Sequence, residues 1–175
     1  MLTVGHGTLD RPALEQVLHD AGVEVVVDVR RYPGSRRNPD VHREALERWL
    51  PAAGIEYRWD ERLGGRRHLP GGDAAIDTWW TVAAFRAYAA YTRTEEFAAG
   101  FKDLLDIVRR NAEVIRCSET LWWRCHRRLI ADVAAQGHQL PVTHLLPSGL
   151  REPHRVAAGA RLSNNRCIVW DGQTS

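Results

Sequence analysis

Residues 23–30 read VEVVVDVR, an almost unbroken β-branched apolar run closed by Asp28 and Arg30. A strand that is apolar on both faces needs cover on both, which is the condition of a parallel sheet. Parallel neighbours can be joined only by crossovers, usually helical, so this one segment commits the chain to strands alternating with helices.

The rest of the chain follows that rhythm. LTVGHG opens as a short strand, and in TLDRPALEQVLHDAG, Thr8 is placed to cap a helix that Gly22 closes. RYPGSRRNPD has loop composition, HREALERWLPAAG returns to helical spacing, and IEYRWDERL suits a half-buried third strand. GGRRHLPGGDAAID lacks periodicity and is expected to be a long surface loop. TWWTVAAFRAYAAYTRT and EEFAAGFKDLLDIVRRN predict two helices, the second capped by Thr94. NAEVI is a buried strand, RRLIADVAAQG a helix, and QLPVTHLL a further strand. Residues 147–175 look irregular apart from a short strand at Cys167 to Trp170. The expectation is one α/β domain over residues 1–175, a three-layer α/β/α, Rossmann-like arrangement with a mostly parallel sheet. Ligands gather at the carboxyl ends of the strands in such sheets.

A chain of 175 residues can bury a proper core. No run of about 18 uncharged apolar residues is present and no signal-peptide pattern opens the chain, so a cytoplasmic protein without membrane attachment is expected. Three cysteines, Cys117, Cys125 and Cys167, are too few for a disulfide framework and are expected to be reduced. The net charge is only +2, and Lys102 is the sole lysine among the cations. Two readings compete for the arginine total, guanidinium forks that bind phosphate or carboxylate and codon bias in a GC-rich genome; the clustering of the arginines matters more than their count.

The densest clustering lies between Cys117 and Arg127, CSETLWWRCHR, where a strand hands over to a helix. Cys117 is a candidate nucleophile, since free N–H groups and a helix dipole at such a turn lower a thiol pKa; the alternative is a core cysteine. Glu119, beside indoles that would desolvate it, is a candidate general acid or base, with Asp28 as a second carboxylate; the alternative is a cap or a salt-bridge partner. Arg30, Arg36, Arg37, Arg124 and Arg127 are candidate anion clamps, with Arg66 and Arg67 at the same mouth. Tyr32, Trp122 and Trp123 are candidate stacking surfaces, with His6 and His126 beside them; Trp80, in a helical stripe with Ala84 and Tyr88, is assigned to packing. The ligand class implied is a phosphate-bearing small molecule or a nucleic acid, handled by hydrolytic or transfer chemistry.

TVGHGT, DVRRYPGSRRNP, YRWDERLGGRR, FRAYAAYTRTEEFAAGFKDLL and CSETLWWRCHRRLIAD, in this order, resemble the family called domain of unknown function 488. The resemblance runs from residue 3 to about residue 161 and takes in HLLPSGLREPHRVAAGAR. It implies a compact α/β domain and leaves the activity unassigned. One departure stands out: where the family commonly has a small or acidic residue and then proline before WRCHR, this chain has Leu121 and Trp122.

Two alternatives compete with the nucleotide reading. A thiol phosphatase or sulfurtransferase would use Cys117, but six residues separate it from Arg124 where the phosphatase signature has five, and two tryptophans occupy a loop that needs small residues. A non-catalytic nucleic-acid binding module is the other. Cys117, Cys125 and His126, with His6, suggest a metal, yet zinc-ribbon spacing is missing. Cys125, placed one turn before Leu129, would also share its apolar face and diverge from His126 by about 100° on a helix. No metal or other cofactor is therefore expected.

Overall fold

The computed structural model describes residues 1–35, 38–68, 76–110 and 112–173. Five strands run parallel: β1 (Leu2–Gly5), β2 (Val25–Asp28), β3 (Glu56–Trp59), β4 (Glu113–Cys117) and β5 (Thr143–Leu145). A sixth, β6 (Arg151–Pro153), lies antiparallel to β5, and the sheet order is β3-β2-β4-β1-β5-β6. Strands β7 (Ala160–Leu162) and β8 (Ile168–Trp170) make a separate antiparallel pair.

Helices cover both faces. α1 (Arg11–Asp20) and α2 (Arg43–Ala52) pack on one side, where Leu14, Leu18, Leu46 and Leu50 meet Val4, Val26 and Val114. α3 (Ala83–Tyr91), α4 (Glu95–Val108) and α5 (Arg127–Asp132) cover the other, where Phe97, Phe101, Leu104 and Leu129 meet Val25, Val27 and Ile115. Successive residues of β2 thus enter opposite cores, which is why the run had to be apolar at every step; each such side chain contributes roughly 1.5–3 kcal/mol by leaving water. The architecture is a three-layer α/β/α fold with a mostly parallel sheet.

Several local expectations change. Asp10, not Thr8, caps α1, its carboxylate accepting from the Ala13 amide at 3.0 Å, with Pro12 in the first turn where a missing donor costs nothing. Thr94 does cap α4, accepting from the Phe97 amide at 3.3 Å. The tryptophan pair Trp79 and Trp80 precedes α3 instead of lying in it. Asp77, buried, accepts from Arg93 and from the Trp170 amide, and the Trp79 amide donates to the Trp170 carbonyl, which pins this segment to β8. Trp80 is buried as expected, but against Phe85 and Trp170 and not along a helical stripe with Ala84. Gly64 and Gly65 are buried, so the start of the glycine-rich segment is not a surface loop; residues 69–75 of it lie outside the described residues. The C-terminal segment carries β6, β7 and β8 where only one short strand was expected.

The topology sets the site. From β1 the chain leaves through α1 toward β2, while from β4 it leaves through α5 in the opposite direction to β5. Such divergence at the carboxyl ends of adjacent strands opens a crevice.

Candidate functional site

The crevice is a half-open cleft of about 210 Å³. Cys117, Cys125 and His126 lie on its floor, Arg30, Arg31, Arg66 and Arg124 stand around it, and Tyr32, Phe85 and Tyr88 form an aromatic wall. Ser118 and Glu119 continue from the end of β4 across the end of β1. The crossing is so close that a side-chain carbon on Gly5 would stand 1.7 Å from the Glu119 carbonyl oxygen. Only glycine admits that approach.

Arg127 braces the crossing from below. Its Nη2 donates to the Glu119 carbonyl at 2.5 Å, its Nη1 to Thr3 Oγ1 at 3.3 Å and its Nε to Cys125 Sγ at 3.4 Å. It is buried and fully engaged, so it shapes the cleft without lining it.

Asp28 is likewise a foundation. Arg30 Nε donates to its Oδ1 at 2.8 Å, and its Oδ2 accepts from Arg30 Nη2 at 2.5 Å, Arg116 Nη1 at 2.8 Å and the Tyr57 hydroxyl at 3.0 Å. Burial alone would raise this carboxyl, but the Arg116 and Arg30 guanidiniums hold it below its ordinary range, and it is ionised. The expected pairing of Asp28 with Glu119 is not made: Asp28 is enclosed and absent from the cleft lining.

His6 is also enclosed. Its Nδ1 lies 2.9 Å from Arg116 Nη2 and 3.0 Å from the Cys117 carbonyl oxygen, and burial with the Arg116 charge pushes its pKa down to about 3. It is a neutral packing partner of Arg116, outside the cleft lining.

Arg30 lines the cleft and carries one unanswered donor. Its Nη2 reaches Asp28 and the Val41 carbonyl, at 2.8 Å for the latter, while Nη1 is buried with no partner among the described residues. A buried guanidinium nitrogen without an acceptor is costly, so this donor is an unmet polar group next to the cleft. Arg124 and Arg66 stand exposed at the rim, and Arg31 lies over the Tyr32 ring, 5.5 Å from its centroid. Arg36 and Arg37 lie outside the described residues.

The indoles sit elsewhere. Trp122 is buried, stacked on His144 with 4.1 Å between ring centroids, and donates to Glu152, so it neither lines the cleft nor desolvates Glu119. Trp123 is exposed but outside the lining. Glu119 itself is exposed at the cleft edge. The aromatic surfaces that do face the cleft include Phe85 and Tyr88, which α3 delivers, and Tyr32, 61% exposed.

The floor departs most from the expectation of a helical Cys125–His126 pair. Cys125 has extended backbone, φ −120° and ψ 149°, and both residues precede α5. They converge: His126 Nδ1 is 3.6 Å from Cys125 Sγ and 3.9 Å from Cys117 Sγ, and the three atoms lie within 4.8 Å of one another. His126 Nε2–H donates to the Val29 carbonyl at 3.0 Å, which leaves the Nδ1 lone pair facing the thiols. Hydrogen bonding to Cys125 and burial push the Cys117 thiol up, whereas the Cys117 bond and the Arg127 charge outweigh burial and bring Cys125 down. Of this pair, Cys125 is the thiol that the Arg127 charge favours as thiolate.

Sequence reasoning did not single out Arg31, Phe85, Tyr88 or Gly65. Arg31 had a signal, since it follows Arg30 at the end of β2; the others reach the cleft only through tertiary packing. A second hollow of about 320 Å³ is lined in part by Asp60, Arg62 and Asp103, but Arg62 donates to both carboxylates at 2.7 Å, so these charges answer one another.

Fold and cleft together define an α/β protein with a thiol and imidazole floor under an arginine rim. The sequence model of one family, described as Domain of unknown function DUF488, matches residues 11–134, and the chain belongs to that family. Comparison with curated proteins and with solved structures gives no significant match.

Proposed function

We propose that the cleft binds a phosphate-bearing ligand of the nucleotide or nucleic-acid class and that the protein acts on it by hydrolysis or group transfer in the cytosol. The observation that carries this reading is the convergence of Arg30, Arg31, Arg66 and Arg124 on one cleft, with Arg30 Nη1 a buried donor that has no partner among the described residues. Arg66 and Arg124 at the rim supply further anion contacts, and Tyr32 and Phe85 offer faces on which a base can stack. Glu119, water-accessible beside these groups, would be the carboxylate that moves a proton. Among the described residues no helix is long and apolar enough to cross a membrane.

Calorimetric titration with AMP, ATP and inorganic phosphate tests the reading. Nucleotides should bind more tightly than phosphate alone, and Arg124→Ala should weaken them by about 1 kcal/mol, roughly fivefold. Absence of binding by every nucleotide, or equal binding by the variant and by phosphate alone, removes the reading.

A thiol-centred reaction has one observation in its favour, the contact of Cys125 Sγ with His126 Nδ1 and Arg127 Nε on the cleft floor. It would make Cys125 the reactive sulfur.

A further inference from the structure

We propose that Cys117, Cys125 and His126 hold a divalent, thiophilic metal ion of the zinc class, with a coordination position left open toward the cleft. This goes beyond the nucleotide reading and does not rest on it.

Four observations converge. The first is spacing. Around a tetrahedral ion with sulfur about 2.3 Å and nitrogen about 2.1 Å from the metal, neighbouring ligand atoms stand roughly 3.5–3.8 Å apart. His126 Nδ1 lies 3.6 Å and 3.9 Å from the two sulfurs, and all three atoms fall within 4.8 Å of one another. The second is orientation. His126 donates its other ring nitrogen to the Val29 carbonyl at 3.0 Å, the outer contact that metal-binding histidines almost always make, and this turns the Nδ1 lone pair toward the thiols. The third is the support given to the sulfur charge: Arg127 Nε donates to Cys125 Sγ at 3.4 Å, and Arg127 is itself held by Thr3 and the Glu119 carbonyl. The fourth is access. Cys117, Cys125 and His126 all line the cleft. Three protein ligands facing a solvent-reachable hollow is the arrangement of catalytic zinc sites; structural sites close with four. The cleft would supply the remaining position from water or from a substrate oxygen held by Arg30, and a bound ion would polarise that oxygen.

The local backbone explains why the sequence hid this arrangement. The turn at Trp122–Arg124 places Cys125 in extended geometry, so Cys125 and His126 point to a common centre, whereas a continuous helix would splay them.

Cobalt(II) titration of the reduced, chelator-stripped full chain tests the proposal. The expected result is one equivalent bound, with sulfur-to-cobalt charge transfer and the intense visible bands of four-coordinate cobalt, both abolished by zinc. Cys117→Ser and Cys125→Ser should each diminish the charge-transfer band, His126→Ala should weaken binding by more than the 10- to 100-fold, in order of magnitude, typical of losing an outer contact, and Cys167→Ser should change nothing. Far-ultraviolet circular dichroism verifies that the variants are folded, and the wild-type spectrum decides independently of them. A folded wild type without charge transfer, or cobalt binding unchanged in the Cys117→Ser/Cys125→Ser double variant, overturns the proposal. Nucleotide titration of the metal-free protein reads the cleft separately: cobalt bound without nucleotide sinks only the ligand assignment, nucleotide bound without cobalt only the metal.

Discussion

Asp28 and Arg116 occupy facing register positions on β2 and β4 and are joined by a 2.8 Å ion pair from which water is excluded. Arg30 and Tyr57 complete the cluster around the same carboxylate. Two guanidiniums therefore depend on one buried counter-charge, directly beneath the cleft.

Removing that charge should be severe. Asp28→Ala leaves Arg30 and Arg116 uncompensated and should destabilise the fold by about 3–5 kcal/mol, while Tyr57→Phe, which removes one neutral donor, should cost about 1 kcal/mol. Urea unfolding of the two variants measures the difference; equal, small losses would mean that the cluster is not the foundation assigned to it.

Stability should also fall on mild acidification. Burial, followed by the charges of His154 and Arg127, pushes His144 down to about 3, so the folded ring is neutral while the unfolded ring titrates near 6.5. The unfolded state then binds more protons throughout that window, and stability, fully present above pH 6.5, is lost as pH falls toward 3, at up to about 1.4 kcal/mol per pH unit. His6, depressed to about 3 by burial and Arg116, adds to the same slope. Unfolding free energies across pH 7 to 4 should show it, and His144→Gln should flatten it; a pH-independent stability would contradict the neutral burial of both rings.

Glu119→Gln keeps the shape of the cleft edge and removes the proton-transfer group. Once a substrate is in hand, turnover should drop by about 10²–10⁴-fold with binding retained. Full activity in this variant would take the carboxylate out of the chemistry.

Thiol accessibility separates the cysteines. Cys117 and Cys125 are buried and Cys167 is partly open, so iodoacetamide should reach Cys167 first under native conditions. Mass spectrometry of the modified chain reads the order, and rapid stoichiometric capture at Cys117 would reinstate it as a free nucleophile.

A nucleic-acid binding module would respond steeply to salt, because each neutralised phosphate releases counterions. The cleft offers few arginines, so binding of an oligonucleotide should weaken only modestly with ionic strength. A slope corresponding to about six or more phosphate contacts would favour the module over a cleft that holds a single ligand.

Much of this molecule was legible before its coordinates. The run of Val25 to Val27 dictated a strand covered on both faces, and it lies second in a parallel sheet with a core on each side. Thr94 announced a helix start because its oxygen needs only the chain three residues on. The misreadings share a cause. Trp79 and Trp80 have helical neighbours, yet the ties of Asp77 to Arg93 and Trp170 hold them out of α3, and those partners are 16 and 93 residues away. Strands β6 and β7 have only three residues each, too few to register as an alternation. In the site, Arg30, Tyr32, Cys117, Glu119, Arg124 and His126 line the cleft, whereas Asp28, His6, Arg127, Trp122 and Trp123 do not. Residue type marked them all as polar or aromatic near strand ends; which face them inward depends on ion pairs and stacking that join distant segments.

The passage of the Glu119 carbonyl over Gly5 ties the birth of the hollow to a long-range pairing at the sheet's centre, since β1 and β4 are over a hundred residues apart in the chain. Contacts of such long range form late and slowly. A nascent polypeptide can lay down β1, α1 and β2 long before the segment around Glu119 is synthesised, and through that interval no binding pocket exists. Competence therefore arrives in a single event, and partly folded molecules should be inert toward any ligand of the mature protein.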